Sequence, residues 1–463
     1  MKDPLPQYHK IAIFGLGSSG IAAAQLLARF DKEIIASDSA DESKRAEFEA
    51  KLPKGTRLIL GHNEIADAEV IVTSPGLEPS MPIFEEAREK NVPVIAELEL
   101  GFRAATKPIV AITGTDGKTT TTTLTSHILN ECGVVNKLGG NVGIPLCQVV
   151  MEEDEPDCYV VETSAFQLVF CPEFRPHILI ATNIAEDHSE YFKGDWNAYV
   201  ATKRRPLVVM HALDLAILNA SDPEIRGWRE LTKANVAWYA EKHQDLPRRE
   251  TDLNDDVAYV GDGAIQVELS NGMEYRLNLA DLKLKGAHNA MNVMGSILAC
   301  LEMGCKFDAI VAAIDSYQLP KHRIEHICTL NGVEFIDDSK ATNPHAGMAA
   351  LAAIDKSTVL IVGGVDKGLS LTAWIDAMQK NVRQIMLIGA LTERFLAEAK
   401  WGDQPCPITL CQTLEDAVQR GYDYARENGC EVVMLSPGCS SYDMFKSYGQ
   451  RGDVFAATAR GLV

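Results

Sequence analysis

Ile109-Val110-Ala111-Ile112-Thr113-Gly114-Thr115-Asp116-Gly117-Lys118-Thr119-Thr120 is the stretch on which the fold turns. Its first five residues are apolar or β-branched and read as a strand covered on both faces. Two glycines follow, and then a Lys-Thr-Thr run opens a helical stretch. A Gly-rich turn between strand and helix aims backbone N–H groups at a phosphate. Lys118 suits the β- and γ-phosphates, and the hydroxyl of Thr119 suits Mg²⁺. The strict spacing GxxxxGK[ST] fails, because Ile112 stands where the first glycine belongs. The loop is therefore of a shorter GTxGKT type. An ordinary helix N-terminus with a surface lysine is the bland alternative, and the strand before and helix after weigh against it.

Working outward, the same alternation of short apolar run, turn and helical stretch recurs along the chain. It appears at Ile11–Phe14, Ile34–Ser37, Val70–Thr73, Tyr159–Val161, Ile178–Ala181, Leu215–Leu218, Phe335–Asp337, Thr358–Val362, Gln384–Ile388 and Glu431–Leu435. Such alternation predicts parallel α/β sheets, and there are too many strands for one open sheet. Breaks are expected near Glu97–Pro108 and near Leu319–Pro320. One segment departs from the pattern: Ile265–Leu269 and Tyr275–Leu279 flank Asn271-Gly272, which predicts an antiparallel hairpin in the middle domain. The expected fold is α/β with three domains. A Rossmann-like N-terminal domain spans 1–97. A P-loop ATPase-like central domain with a parallel sheet and a small antiparallel portion spans 98–319. A Rossmann-like C-terminal domain spans 320–463.

The 463 residues carry a formal net charge of −20, which repels nucleic acid and anionic membranes. Any anionic ligand must then be held by local cations and backbone N–H groups. The eleven cysteines show no CxxC pair and no finger-type spacing, so they read as reduced thiols of a cytoplasmic protein. Met1 to Lys10 lacks the apolar core of a signal peptide. No apolar run approaches the roughly 18 residues needed to cross a bilayer.

Ligands of doubly wound sheets sit beyond the carboxyl ends of the strands, and the unusual residues lie there. Glu162 ends one strand, and Asp187-His188 follow another; beside a phosphate loop such groups suit Mg²⁺ better than mere capping. Gly15-Leu16-Gly17-Ser18-Ser19-Gly20 matches GxGxxG, with Asp38 at the end of the next strand. Alone, that match points to an NAD-dependent oxidoreductase. Such an enzyme has no use for a phosphate-loop lysine or a third α/β domain. A non-catalytic nucleotide-binding scaffold would not explain Lys340, Thr342, Lys367 and Ser441 at strand ends of another domain. Asn289 and Asn292 are three apart on an expected helix and share one face, where both can meet a base.

With Gly114–Thr120, Glu162-Thr163-Ser164-Ala165-Phe166-Gln167, Glu186-Asp187-His188 and His288-Asn289-Ala290-Met291-Asn292 in hand, the chain resembles the Mur ligases of peptidoglycan synthesis. Leu319-Pro320-Lys321-His322-Arg323, Asp338-Ser339-Lys340-Ala341-Thr342-Asn343 and Ser436-Pro437-Gly438-Cys439-Ser440-Ser441 resemble the members that add D-glutamate. The last motif has Gly438 and Tyr442 where Ala and an apolar residue are the family pattern, and Ser189-Glu190-Tyr191-Phe192 departs from the usual run after the histidine. The resemblance covers the whole chain. A sister ligase adding another amino acid is the nearest alternative, and folylpolyglutamate synthase would share the phosphate loop but not Asp338–Asn343.

The resemblance implies a ligase that adds D-glutamate to UDP-N-acetylmuramoyl-L-alanine through an acyl phosphate, with ATP and two Mg²⁺ sites, acting as a monomer. It implies ATP contacts from Gly114, Thr115, Asp116, Gly117, Lys118, Thr119, Thr120, Asn289, Asn292, His322, Arg323, Asp338 and Lys340. The UDP-substrate falls to Ser18, Ser19, Asp38, Ser39, Gly76 and Asn141, and D-glutamate to Thr342, Lys367, Ser441 and Tyr448. Metal duty falls to Thr119, Glu162, His188 and Lys203. Lys203 lies fifteen residues beyond His188, the family's spacing for a carbamylated lysine, and as a carbamate it becomes an anionic oxygen ligand. Lys118, Glu162, His188 and Lys203 are the implied catalytic groups.

Overall fold

A computed structural model describes residues 1–187, 191–247, 255–318, 321–366, 369–399 and 406–462. The chain forms two compact units, Met1–Ile184 with Trp196–Tyr317, and Ala185–Asp195 with Gln318–Val463.

The first unit contains two sheets. Strands β1 (Lys10–Phe14), β2 (Glu33–Asp38), β3 (Arg57–Leu60), β4 (Val70–Thr73) and β5 (Val94–Ala96) are all parallel in the order β3-β2-β1-β4-β5. The order reverses at β1, so the loop after β1 opens at a switch point, where ligands of such sheets bind. The second sheet holds β6 (Ile109–Thr113), β7 (Asn136–Gly140), β8 (Cys158–Glu162), β9 (Ile178–Ala181), β10 (Leu215–Asn219), β11 (Asn235–Ala240), β12 (Val257–Gly261), β13 (Ala264–Glu268) and β14 (Glu274–Asn278). Its order is β14-β13-β12-β11-β10-β9-β6-β8-β7. Only β12-β13 and β13-β14 are antiparallel, which is the expected small antiparallel portion. The quoted strand β6 is central, between β8 and β9, and every one of its residues is buried.

Between these sheets the expected break is a helix, Glu97–Ala104, whose Glu97 and Glu99 are fully buried. Glu97 Oε1 accepts a hydrogen bond from Cys147 N at 2.7 Å, and Glu99 Oε1 accepts one from Arg103 Nε at 2.8 Å.

The helix after the phosphate loop, Lys118–Glu131, contains six threonines. β-Branched residues favour helix poorly, so the hydroxyls must find local partners. Thr122 and Thr123 donate back to the Lys118 and Thr119 carbonyls, four residues earlier. Thr121 donates to Asn292 Oδ1 and Thr125 to Ser296 Oγ on the neighbouring helix Ala287–Glu302. The two helices are thus joined by a buried polar ladder.

The second unit holds β15 (Glu325–Leu330), β16 (Val333–Asp337), β17 (Thr358–Gly363), β18 (Val382–Ile388), β19 (Ile408–Leu410) and β20 (Val432–Leu435), in the order β15-β16-β20-β17-β18-β19. β15 is antiparallel and the rest are parallel. Alternate residues feed opposite cores: Val359 and Ile361 enter one, Leu360 and Val362 the other. Among the described residues no helix is long and apolar enough to cross a membrane, and no disulfide joins the cysteines.

Candidate functional site

The phosphate loop has a shape that side chains would destroy. Gly114 has φ 136°, and a Cβ there would fall 1.9 Å from Thr182 Oγ1. Gly117 has φ 76°, and a Cβ there would fall 2.5 Å from Asn292 Oδ1. Asn183, just beyond β9, carries the loop from below. Its carbonyl accepts from Thr115 N and its Oδ1 from Asp116 N, both at 2.8 Å. Thr182 Oγ1 donates to the Asp116 carbonyl at 2.6 Å. Lys118 Nζ turns back onto the loop and donates to the Thr115 carbonyl at 2.6 Å.

Beside this loop Glu162, at the end of β8, is buried. Its Oε1 accepts from Asn141 Nδ2 at 2.6 Å, and Asn141 N donates to the Glu162 carbonyl at 2.8 Å. Its Oε2 is buried with no hydrogen-bond partner, as is Thr113 Oγ1 at the end of β6. A buried carboxylate oxygen without a donor is costly, and a hard cation that prefers oxygen ligands removes the cost. The residues here therefore fit Mg²⁺. Lys203 is buried as well. Its Nζ donates to the Gly114 carbonyl at 2.5 Å and lies 4.9 Å from the centre of the Tyr199 ring. The Tyr199 hydroxyl meets Thr115 Oγ1 at 2.8 Å. Lys203 thus sits against the phosphate loop. Asp187 is buried; His188 lies outside the described residues.

Asn289 and Asn292 share one helix face, as their spacing predicts. Asn292 Oδ1 is taken by Thr121, and Asn289 Nδ2 donates to the Lys285 carbonyl at 2.8 Å. Asn292 therefore buttresses the phosphate-loop helix.

At the N-terminal sheet, Asp38 stitches its loops together. Oδ2 accepts from Leu16 N at 2.6 Å, inside the Gly-rich turn, and Oδ1 accepts from Ala40 N at 2.8 Å. Ser74 Oγ donates to the Gly15 carbonyl at 2.7 Å, and Gly76 N to the Ser74 carbonyl. Ser18 opens the helix Ser18–Leu27, and both Ser18 and Ser39 are exposed.

In the second unit the polar residues follow β16, β17 and β20, which are adjacent. Asp338 is buried and accepts from Ser436 Oγ at 2.8 Å and from Ile324 N at 3.3 Å. Burial pushes its carboxyl up to about 7. His322 Nδ1 meets Asp337 Oδ2 at 2.7 Å. His322 and Ile324 both have positive φ, 65° and 46°, on either side of Arg323, whose Nε is buried without a partner. A β-branched residue in that region is strained, and strain of this kind gathers at functional segments. Lys340 Nζ sits 5.4 Å from the centre of the Tyr448 ring. Thr342 is half-buried, Ser441 is buried, and Lys367 lies outside the described residues.

Sequence reasoning missed the residue that ties this edge together. Arg451 is buried; its Nη2 donates to the carbonyls of Ser339 (2.8 Å) and Cys439 (3.0 Å), and its Nε to Ser339 Oγ (2.9 Å). Nη1 reaches the Gly363 carbonyl at 3.4 Å. One guanidinium thus spans the ends of β16, β17 and β20, and burial lowers its pKa to about 10. In the sequence it sits in Gly-Gln-Arg-Gly-Asp, which carries no sign of burial. Thr182 and Asn183, which shape the phosphate loop, were also missed; a polar pair directly after a strand beside a P-loop was the available signal.

These are the features of an enzyme that handles a nucleotide triphosphate at the carboxyl edge of a parallel sheet. Comparison with known proteins narrows the class. The Mur ligase MurD-like N-terminal domain matches residues 9–96, the Mur ligase middle domain 112–300, and the Mur ligase glutamate ligase domain 322–439. The UDP-N-acetylmuramoylalanine–D-glutamate ligase of Desulfosudis oleivorans is 32% identical over 100% of this chain and 98% of its own. The protein of the same name from Geobacter metallireducens is 36% identical over 98% of this chain and 97% of its own. MurF from Acinetobacter baumannii has the same fold, with a TM-score of 0.61 at 17% identity, covering 97% of this chain and 93% of that one. So has the UDP-N-acetylmuramate-alanine ligase MurC of Thermotoga maritima, with a TM-score of 0.59 at 18% identity, covering 98% and 99%. The chain belongs to the Mur ligase family, in the branch of the UDP-N-acetylmuramoylalanine–D-glutamate ligases.

Proposed function

We propose that this protein joins D-glutamate to UDP-N-acetylmuramoyl-L-alanine in the cytoplasm, as a monomer, with conversion of ATP to ADP and phosphate. The observation that carries the reading is full-length identity of 32–36% to ligases of that name, in a chain that keeps the phosphate loop intact.

Amide formation from a carboxylate is uphill in water. In the first step a carboxylate oxygen of the L-alanyl group attacks the γ-phosphorus, and ADP leaves. In the second, the neutral amine of D-glutamate attacks the acyl carbon, phosphate leaves, and the amine proton is released. Phosphoryl transfer is catalysed mainly by positioning and charge neutralisation. Loop N–H groups from Gly114 to Thr120 hold the phosphates, and Lys118 leaves the Thr115 carbonyl to meet them. Mg²⁺ when bound offsets phosphate charge. Its ligands in this reading are Thr119, Glu162, His188 and Lys203 as a carbamate, at two sites. Asn289, Asn292, His322, Arg323, Asp338 and Lys340 serve ATP. Ser18, Ser19, Asp38, Ser39, Gly76 and Asn141 serve the UDP-substrate, and Thr342, Lys367, Ser441 and Tyr448 hold D-glutamate. Residues 1–97 then serve mainly the UDP-substrate, 98–319 mainly ATP and 320–463 mainly the amino acid, with Asn141, His322, Arg323, Asp338 and Lys340 reaching a neighbouring domain's ligand.

Phosphate release with UDP-N-acetylmuramoyl-L-alanine and a panel of amino acids, both enantiomers of glutamate included, tests the reading. D-Glutamate alone is expected to stimulate release. Stimulation by a different amino acid reassigns the protein to a sister activity. Calorimetry is expected to detect the UDP-sugar and no NAD.

A further inference from the structure

Asn183 carries the phosphate loop, and Asn183 is itself gripped from behind. A trans peptide is planar, with its carbonyl and its N–H pointing opposite ways. In the peptide that joins Asn183 to Ile184, the carbonyl accepts from Thr115 N at 2.8 Å and the N–H donates to Asp222 Oδ2 at 2.7 Å. The peptide before it is held too, because the Thr182 carbonyl accepts from Asn219 Nδ2 at 2.6 Å. Asn219 ends β10 and Asp222 follows three residues later, so one turn grips the chain on both sides of Asn183. That turn is well anchored. Ala220 N donates to the Tyr239 carbonyl at 2.8 Å, Arg226 Nη2 to the Ala220 carbonyl at 2.7 Å and Ser221 N to Asn219 Oδ1 at 2.9 Å. Ser221 Oγ accepts from Glu241 N and donates to Asp245 Oδ2, both at 2.9 Å. Asp222 also caps the helix Pro223–Arg226, where its Oδ1 accepts from Glu224 N at 2.9 Å and from Ile225 N at 3.0 Å. Capping occupies one oxygen, and a serine, threonine or asparagine would do it as well. The second oxygen reaches Ile184, 38 residues away in sequence, and a carboxylate is the group that accepts on both sides.

We propose that Asp222 is a positioning residue for the nucleotide, fixing the phosphate loop from outside through the Asn183–Ile184 peptide. The proposal rests on the reading that this loop holds the triphosphate. The grip on Ile184 N sets the tilt of the peptide plane, and with it the direction in which the Asn183 carbonyl meets Thr115 N. A charged acceptor at the N–H also polarises the peptide, which makes its carbonyl the better acceptor. Asn183 Oδ1 takes Asp116 N at 2.8 Å, and Thr182 Oγ1 reaches the Asp116 carbonyl at 2.6 Å. The chain clamped by Asn219 and Asp222 therefore holds both residues that lie between Gly114 and Gly117. A stretch bounded by two glycines has many conformations open to it, so its shape must come from such outside contacts.

Asp222→Ser keeps a helix cap and removes the oxygen at Ile184. Asp222→Asn is isosteric; the two helix amides claim its one oxygen, and Ile184 N–H then faces an amide nitrogen. Ser221→Ala loosens the same turn through Glu241 and Asp245 alone and serves as the stability control. The magnesium complex of a non-hydrolysable ATP analogue is titrated by calorimetry into each full-length protein, and melting temperatures are measured alongside. In both Asp222 variants the analogue's Kd is expected to rise roughly tenfold, as leaving one donor unpaired implies, with the KM for ATP rising in parallel and the KM for D-glutamate within about twofold of the parent. Ser221→Ala should melt lower and bind the analogue as the parent does. A Kd within about twofold of the parent in both Asp222 variants overturns the proposal. So does an equal weakening in Ser221→Ala, which would make the effect a general loosening of the turn. Failure of the parent protein to bind the analogue overturns the nucleotide reading itself and the proposal with it, whereas binding by the parent and by both variants alike overturns the proposal alone.

Discussion

Gly438 opens the loop that leads from β20 to Ser441, and its backbone and surroundings leave no room for a side chain. Gly438 has φ 61°, and a Cβ would meet three atoms of the Trp374 ring at 2.2, 2.4 and 2.7 Å. Trp374 is fully enclosed in the core on one face of the C-terminal sheet and cannot swing out. Gly438→Ala therefore incurs two separate costs. A left-handed non-glycine residue costs about 1–2 kcal/mol. Forcing a methyl into a packed core costs about 1–3 kcal/mol more. The total, roughly 2–5 kcal/mol, should lower the melting temperature of the C-terminal unit by about 5–15 °C. Trp374→Leu is destabilising by itself, but it opens the space. In that background Gly438→Ala should cost only the backbone part, so the double-mutant cycle should return an interaction of about 1–3 kcal/mol. Differential scanning fluorimetry of the four proteins measures it. Equal costs in the two backgrounds would refute the steric account, and an unshifted melting temperature for Gly438→Ala would refute the whole of it.

The remaining predictions concern charge. Lys118→Ala should fold normally and lose ATP turnover, measured as phosphate release; substantial remaining ligase activity removes Lys118 from the phosphates. Lys203→Ala should be nearly inactive and partly rescued by a short carboxylic acid, and full activity without rescue excludes the carbamate. Lys367→Ala should raise the KM for D-glutamate by roughly one to two decades, since a charge-assisted bond to a carboxylate contributes about 1.5–3 kcal/mol. A KM within twofold of the parent protein excludes that role. Glu97 is enclosed with Oε2 unpartnered, and burial raises its pKa from 4.5 to about 7 despite the bond from Cys147 N. Because the folded pKa lies above the unfolded one, the folded protein loses stability as pH rises from about 4.5 to about 7, by up to roughly 3 kcal/mol, and the loss persists above. Glu97→Gln should lack this slope, so its melting temperature should gain on the parent between pH 5 and pH 8; parallel profiles contradict the assignment.

The phosphate loop, the central strands and the Asn271-Gly272 hairpin were legible because each rests on local chemistry: apolar runs, glycines with left-handed φ, and a turn dipeptide. A second hairpin carried the same signal and was passed over. Asp262 and Gly263 have φ 50° and 70°, the geometry that an Asp-Gly turn demands, and they join β12 to β13. β7 was not legible. Asn-Lys-Leu-Gly-Gly has no alternation, and it is a strand because β8 pairs along its whole length. The helix Glu97–Ala104 was not legible, because its two buried glutamates mimic a polar linker. Arg451 illustrates the limit of sequence reading: burial of a cation is decided by which carbonyls three distant loops present, and no local pattern encodes that.

A chain of net charge −20 that handles anionic ligands must build local exceptions to its own field. At the phosphate loop the exception is made of backbone N–H groups and Lys118, which is turned onto a loop carbonyl. Glu162 runs against this logic, since an anion beside a phosphate site repels the ligand it should help to bind. A divalent cation held by Glu162 would remove the conflict by offsetting both charges, and the partnerless Oε2 would be the atom to hold it. At the C-terminal edge the exception is different in kind. Arg451 is spent on backbone carbonyls, so its charge fixes the loops. Arg451→Lys keeps a charge but cannot span three strand ends with one planar fork, and so separates shape from charge at this site.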